Sequence, residues 1–124
     1  MKYEVMKEWV EALRSGKYVQ TKQALRSSGC DNGFCCLGVL CEISGLHGWE
    51  TTTNSADMHV WLYNGTADYL PTDVKEWAGL QSENPKIYRG EESHHVYILS
   101  NLNDLEGYDF GAIADMIEEN WRML

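Results

Sequence analysis

Apolar side chains recur at Val5, Trp9 and Leu13 with Met6 and Val10 beside them, a spacing of three and four that draws one stripe and predicts a helix over residues 3–14. Ser15-Gly16 ends it. Residues 17–26 lose that period, and Tyr18, Val19 and Thr21 favour an extended segment or a short strand. Asp31-Asn32-Gly33 is a turn signal able to cap a helix starting just after it. From Phe34 to Ile43 the chain is apolar nearly all round, which predicts a buried helix ended by Gly45 and the centre of the core.

Further along, residues 46–57 are rich in Gly, Thr, Asn and Ser and read as a loop. Val60, Leu62 and Tyr63 lead into Asn64-Gly65, a strong two-residue hairpin signal, with Tyr69-Leu70 as the returning strand. Pro71-Thr72-Asp73 opens a helix that puts Val74, Trp77 and Ala78 on one face and Gly79 at its end. Residues 81–93 are polar, contain Pro85 and Gly90, and are the expected mobile loop. Val96, Ile98, Leu99, Leu102 and Leu105 suggest a helix ending near Gly107, although residues 96–99 read equally as a strand. Asp109 is placed to cap a last helix with Phe110, Ile113, Ala114, Ile117 and Trp121 turned inward. The expected fold is α+β, a mainly helical single domain over residues 1–124 with a small antiparallel hairpin. Its core should include Trp9, Leu13, Cys36, Leu37, Leu40, Trp77, Leu102, Ile113 and Ile117.

Composition narrows the function classes. With 44% hydrophobic residues, five Trp and seven Tyr, the chain has enough apolar area to fold, which excludes disorder. The net charge of −9 is unevenly placed. Six basic and six acidic side chains balance in residues 1–50, whereas thirteen carboxylates face only Lys75, Lys86, Arg89 and Arg122 in residues 51–124. A broad nucleic-acid face is therefore excluded. Residues 14–26, by contrast, hold four basic side chains and no acidic one. Arg14, Lys17, Lys22 and Arg26 can neutralise phosphate, Tyr18 can stack on a ring, and Gln20 can read an edge through its paired donor and acceptor. These six residues are the candidate ligand site, which Trp49 or Trp61 could close.

The reactive side chains point to packing. Cys30, Cys35, Cys36 and Cys41 lie within twelve positions, but on one helix Cys36 and Cys41 would be about 500° apart, on different faces. Structural zinc sites pair their ligands on tight turns, so buried thiols are expected, with no metal and no cofactor. A Cys nucleophile assisted by His47, His59, His94 or His95 is the enzyme alternative, although apolar surroundings raise a thiol pKa. His94-His95 reads as a solvated pair. No phosphate-binding Gly loop or zinc-protease motif is present, and Asn103-Asp104 with Asp109 lacks the spacing of a calcium loop. Residues 101–114 look like the first two helices of a helix-turn-helix without a basic recognition element, so specific DNA binding is not expected. The longest apolar run, FCCLGVLC, is too short to span a bilayer, and the charged N-terminal stretch is no secretory signal. The expected location is cytoplasmic, with reduced thiols.

Trp9, Leu13, Ser15-Gly16, Tyr18, Gln20, Leu25, the FCCLGVLC run, Leu70-Pro71, Trp77, Leu80, Leu102-Asn103-Asp104 and Phe110 through Glu118 together carry a resemblance over nearly the whole length. The chain resembles a family of small proteins encoded by tailed bacteriophages and prophages. Its most specific part is Cys35 to Cys41, preceded by Tyr18 and Gln20, and Cys30 lies outside the pattern. The resemblance implies a setting, the host bacterial cytoplasm, and no activity. Small phage proteins without catalytic motifs often act by binding. The leading expectation is a sponge that sequesters an anionic, nucleotide-derived host immune signal. The alternatives are an acidic inhibitor of a basic host protein and the Cys/His enzyme. A homo-oligomer completing its pocket across a symmetric interface is left open.

Overall fold

Val5, Met6, Trp9, Val10 and Leu13 form the buried stripe of α1 (Tyr3–Arg14) in the computed structural model, which describes residues 1–29, 31–89 and 95–124. The stripe packs between α2 (Cys36–Ser44) and α5 (Phe110–Asn120). Trp9 is wholly buried, and its indole N–H donates to the Cys36 carbonyl at 2.9 Å. That bond satisfies the one polar atom of a large core ring. Residues Cys36 to Cys41 are all buried, because α2 has neighbours on every side: α1, α3 (Thr72–Ala78) and α4 (Leu99–Asp104). Gly45 closes α2 in the left-handed conformation, φ 62°.

Asp31-Asn32-Gly33 makes its turn but does not cap α2. The cap is Cys35, whose Sγ accepts from the Gly38 amide at 3.4 Å. Residues 17–26, read as an extended segment or short strand, are irregular: they bend over residues 22–25, with Gln23 at φ 65°, and enter no sheet. They meet Phe34 twice, through a parallel bridge from Gln20 and an antiparallel bridge from Arg26, so the segment wraps round the start of α2. Leu25 is fully buried there, and its carbonyl lies so close to Gly38 that an added Cβ would stand 1.7 Å from the oxygen.

The expected hairpin exists with a different partner. β2 (His59–Tyr63) pairs antiparallel with β1 (Trp49–Thr53), inside the stretch read as a loop, in the register Trp49 to Tyr63 and Thr51 to Trp61. Its turn is built on Asn54, whose Oδ1 accepts from the amides of Ala56 and Met58 at 2.9 and 3.1 Å. Asn64-Gly65 does turn, with φ 47° and 85°, but closes only a single bridge between Tyr63 and Thr66. The chain beyond is drawn into the body by Leu25 N–H to Ala67 C=O at 2.8 Å and Leu70 N–H to Glu83 C=O at 3.1 Å.

A second hairpin, β3 (Lys86–Arg89) with β4 (His95–Ile98), replaces part of the expected mobile loop. Ile87 is fully buried while Tyr88 is exposed, the alternation of a half-covered strand. Residues 90–94, with His94 among them, lie outside the described residues, as does Cys30. The two readings of residues 96–105 are both realised, strand first and α4 after it. Asp109 caps α5 by accepting from the Ala112 amide at 2.8 Å. Trp77 corrects the expected core: it is half-buried, packed against the core rather than inside it. The fold is α+β, with five α-helices and two small two-stranded antiparallel sheets among the described residues.

Candidate functional site

The antiparallel bridge between Arg26 and Phe34, with the Ser27 amide donating to Gly33 C=O at 2.7 Å, closes the loop between them and sends the Arg26 side chain across the Phe34 ring. Strand alternation supplies the other walls. Trp49 and Tyr63 are a cross-strand pair, and Trp61, two positions before Tyr63, falls on the same face of the hairpin. The guanidinium carbon of Arg26 lies 4.1 Å from the centroid of Trp61, 5.3 Å from Phe34 and 5.5 Å from Trp49. Three rings therefore enclose one cation.

The polar side of this arrangement is poorly matched. One terminal nitrogen of Arg26 donates to Asn32 Oδ1 at 3.3 Å, and the buried Nε has no partner. Two of the three rings are held by neighbours outside the cluster. Trp49 Nε1 donates to Glu42 at 2.6 Å, Trp49 packs on Tyr63 with centroids 4.9 Å apart, and Phe34 meets Trp49 at 5.8 Å and Tyr18 at 5.5 Å, both edge-on. Beyond Tyr63 the ridge ends at His47, whose amide donates to the Tyr63 hydroxyl at 2.8 Å and whose Nε2 bonds Asp73. That contact holds the Asp73 carboxyl below the usual carboxylate range.

The six residues of the candidate segment are not gathered into one pocket. Arg26 and Tyr18 meet at Phe34. Lys17 is exposed with its ammonium 5.6 Å above Tyr18, and Lys22 is exposed. Lys17 and Tyr18 line an open depression of about 290 Å³ together with Glu8 and Glu11. Arg14 faces the other way, bonded to Asp115 at 2.6 Å and Glu118 at 3.1 Å, so its charge is already matched. Gln20 donates its Nε2 protons to Asn103 Oδ1 at 2.9 Å and Tyr108 C=O at 2.8 Å, which removes the donor an edge-reading role requires. Sequence reasoning does not find Phe34 as a wall of the site, and Trp49–Thr53, with one apolar residue in five, gives little signal for the strand that completes it.

The three described thiols are chemically quiet. Burial pushes Cys35 up to about 12 and raises Cys36 and Cys41 as well. A neutral buried thiol is a poor nucleophile. Among the described residues, no three His, Cys, Asp or Glu side chains lie together in a way that could hold a metal ion. No described helix is long and apolar enough to cross a membrane.

No curated protein and no solved structure matches the chain. Residues 1–121 match the family described as a domain of unknown function, DUF8296, and the chain belongs to that family.

Proposed function

We propose that this chain is a binding protein that sequesters a small anionic, nucleotide-like ligand at Arg26 without turning it over. The observation that carries the reading is the Arg26 guanidinium stacked 4.1 Å from the Trp61 centroid with a buried, partnerless Nε. A guanidinium on an indole is oriented and partly stripped of water, the state in which it binds phosphate or carboxylate well. Exposed Lys17 and Lys22 on the same segment add positive charge to it. Rings that can stack on a base stand beside the cation, so both halves of a nucleotide find a complement. The buried, protonated thiols favour binding over covalent chemistry. The resemblance to phage proteins supplies the biological reading, capture of a nucleotide-derived immune signal in the host cytoplasm.

Calorimetry against a panel of cyclic dinucleotides and ADP-ribose derivatives is the direct test. Sequestration at low cellular concentrations requires a dissociation constant near nanomolar, about −12 kcal/mol. No heat and no thermal shift with any member would overturn the proposal.

A second reading, an acidic inhibitor of a basic host protein, is favoured by Glu4, Glu8 and Glu11, which with Lys7 line one exposed face of α1 and outnumber it three to one. Capture of a partner that is released by moderate salt would support it.

A further inference from the structure

Arg26 occupies its cage without being well satisfied there. A guanidinium carries a full set of N–H donors, and desolvating them without partners is unfavourable. Here a terminal nitrogen makes a long, exposed 3.3 Å bond to Asn32, the buried Nε has no partner, and the apolar side of the group faces Phe34, Trp49 and Trp61. Two of the three rings, by contrast, are fixed from outside the cage: Trp49 by Glu42 and Tyr63, and Phe34 by Tyr18 and by its two backbone bridges, while Trp61 is placed by its strand position opposite Thr51. A well-supported cage thus holds an under-bonded guest. That guest is flat, delocalised and stacked, so it fills the slot a planar heterocycle would fill.

We infer that the Phe34, Trp49 and Trp61 cage is a base-stacking site held closed by Arg26. The ligand's ring replaces the guanidinium against Trp61, and the released side chain turns outward to pair with the ligand's phosphate. The inference rests on the nucleotide reading of this site and adds the exchange. Leaving the cage frees the buried Nε to bond, and a phosphate can accept from Nε and a terminal nitrogen at once. A heterocycle with a phosphate is then favoured over the bare nucleoside, because only the former rewards the displaced arginine. Opening of this kind reduces apparent affinity by the fraction of molecules in the open state.

The test compares ADP-ribose with adenosine on the wild-type chain, on Arg26→Ala and on Arg26→Gln, following tryptophan fluorescence. Both substitutions empty or loosen the cage, and the second keeps a polar side chain in case the first fails to fold. The exchange predicts opposite effects of one substitution. Adenosine should bind the variants at least about tenfold more tightly than wild type, because nothing has to be displaced, while the preference for ADP-ribose over adenosine should shrink by a similar factor. If ADP-ribose binds the wild type and adenosine gains nothing in either variant, Arg26 is an ordinary anion contact and the exchange is overturned, with the binding reading intact. If neither compound binds any of the three proteins, the exchange is overturned, and the binding reading falls with it when the cyclic dinucleotides also give no response. In a further arm, methylguanidinium should raise the thermal midpoint of Arg26→Ala and leave the wild type unchanged; equal responses would show that the cage does not accept a planar guest.

Discussion

Gln20 donates its side-chain amide to Asn103 Oδ1 at 2.9 Å, across 83 positions of sequence. Asn103 is fully buried, and its own amide is used on both sides. Oδ1 also accepts from the Cys36 amide at 3.3 Å, and Nδ2 donates to Thr21 C=O at 2.7 Å and Asp104 Oδ1 at 2.8 Å. One side chain thus ties the irregular segment of residues 17–26, the start of α2 and α4 together. Gln20, which the sequence offers as a ligand edge, is instead a member of one network with Asn103 and Asp104.

Replacing Asn103 by Leu keeps the volume and removes every bond. The Cys36 amide and the Thr21 carbonyl lose this partner, while Gln20 retains Tyr108. Each stranded buried group costs about 1–3 kcal/mol, so the variant should lose roughly 3–5 kcal/mol in urea unfolding. A loss under about 1 kcal/mol would mean that water or a shifted backbone replaces the network.

Gly38→Ala should be among the most damaging substitutions of its size. The new methyl would lie 1.7 Å from the Leu25 carbonyl oxygen, and that backbone is itself held by Leu25 N–H to Ala67 C=O at 2.8 Å and Cys35 N–H to Leu25 C=O at 3.2 Å. Overpacking against fixed backbone costs about 3 kcal/mol or more. The matched control is Gly48→Ala, where an added methyl meets nothing within 4 Å. A Gly38→Ala protein with the denaturation midpoint of the control would contradict the packing described for α2.

The contrast between these helices and the two hairpins explains what is legible in the sequence. α1, α2, α3 and α5 are readable because burial imposes a period and because Gly45, Gly79 and Asp109 mark ends by local geometry. β1 is hidden because four of its five residues are exposed, so Trp49–Thr53 carries almost no apolar alternation. Asn64-Gly65 misleads because a turn signal specifies a turn and not the strand that returns from it; the long-range bonds of Ala67 and Leu70 decide that. The site is half legible. A surplus of cations, Tyr18, Trp49 and Trp61 are visible as types, but which cation meets the rings is set by Phe34 bridging to residues 20 and 26, a tertiary fact.

Arg14 reaches from α1 to Asp115 and Glu118 of α5, with 39% of its side chain exposed. The two carboxylates raise its pKa, yet solvent screens a pair this open. A double-mutant cycle between Arg14→Ala and Glu118→Ala should give a coupling below about 1 kcal/mol. The same cycle at roughly 0.5 M salt, where the Debye length falls to about 4 Å, should approach zero. A coupling above about 2 kcal/mol that survives salt would show that the contact is shielded.

The buried thiols make stability fall at alkaline pH, and the direction is set by which state keeps the proton. Burial raises Cys35 to about 12 and lifts Cys36 and Cys41 too, whereas an unfolded thiol ionises near its ordinary value of about 8.5. Below that unfolded value both states hold the proton and the stability is whole. Above it the unfolded chain releases protons that the fold retains, and stability is lost as pH climbs toward the folded values. Each thiol contributes up to about 1.4 kcal/mol per pH unit in this window. Urea midpoints from about pH 8 to 10 should therefore decline steeply, and Cys41→Ala should flatten the decline while costing some packing near pH 7. Cys30→Ser makes a suitable background, since it leaves only the three described thiols. In that background native Cys35, Cys36 and Cys41 should resist alkylation near pH 8 and react once urea unfolds the chain. Parallel pH profiles for the two proteins, or rapid native labelling, would mean that these thiols reach solvent in the folded state and would reopen the enzyme reading that their burial now disfavours.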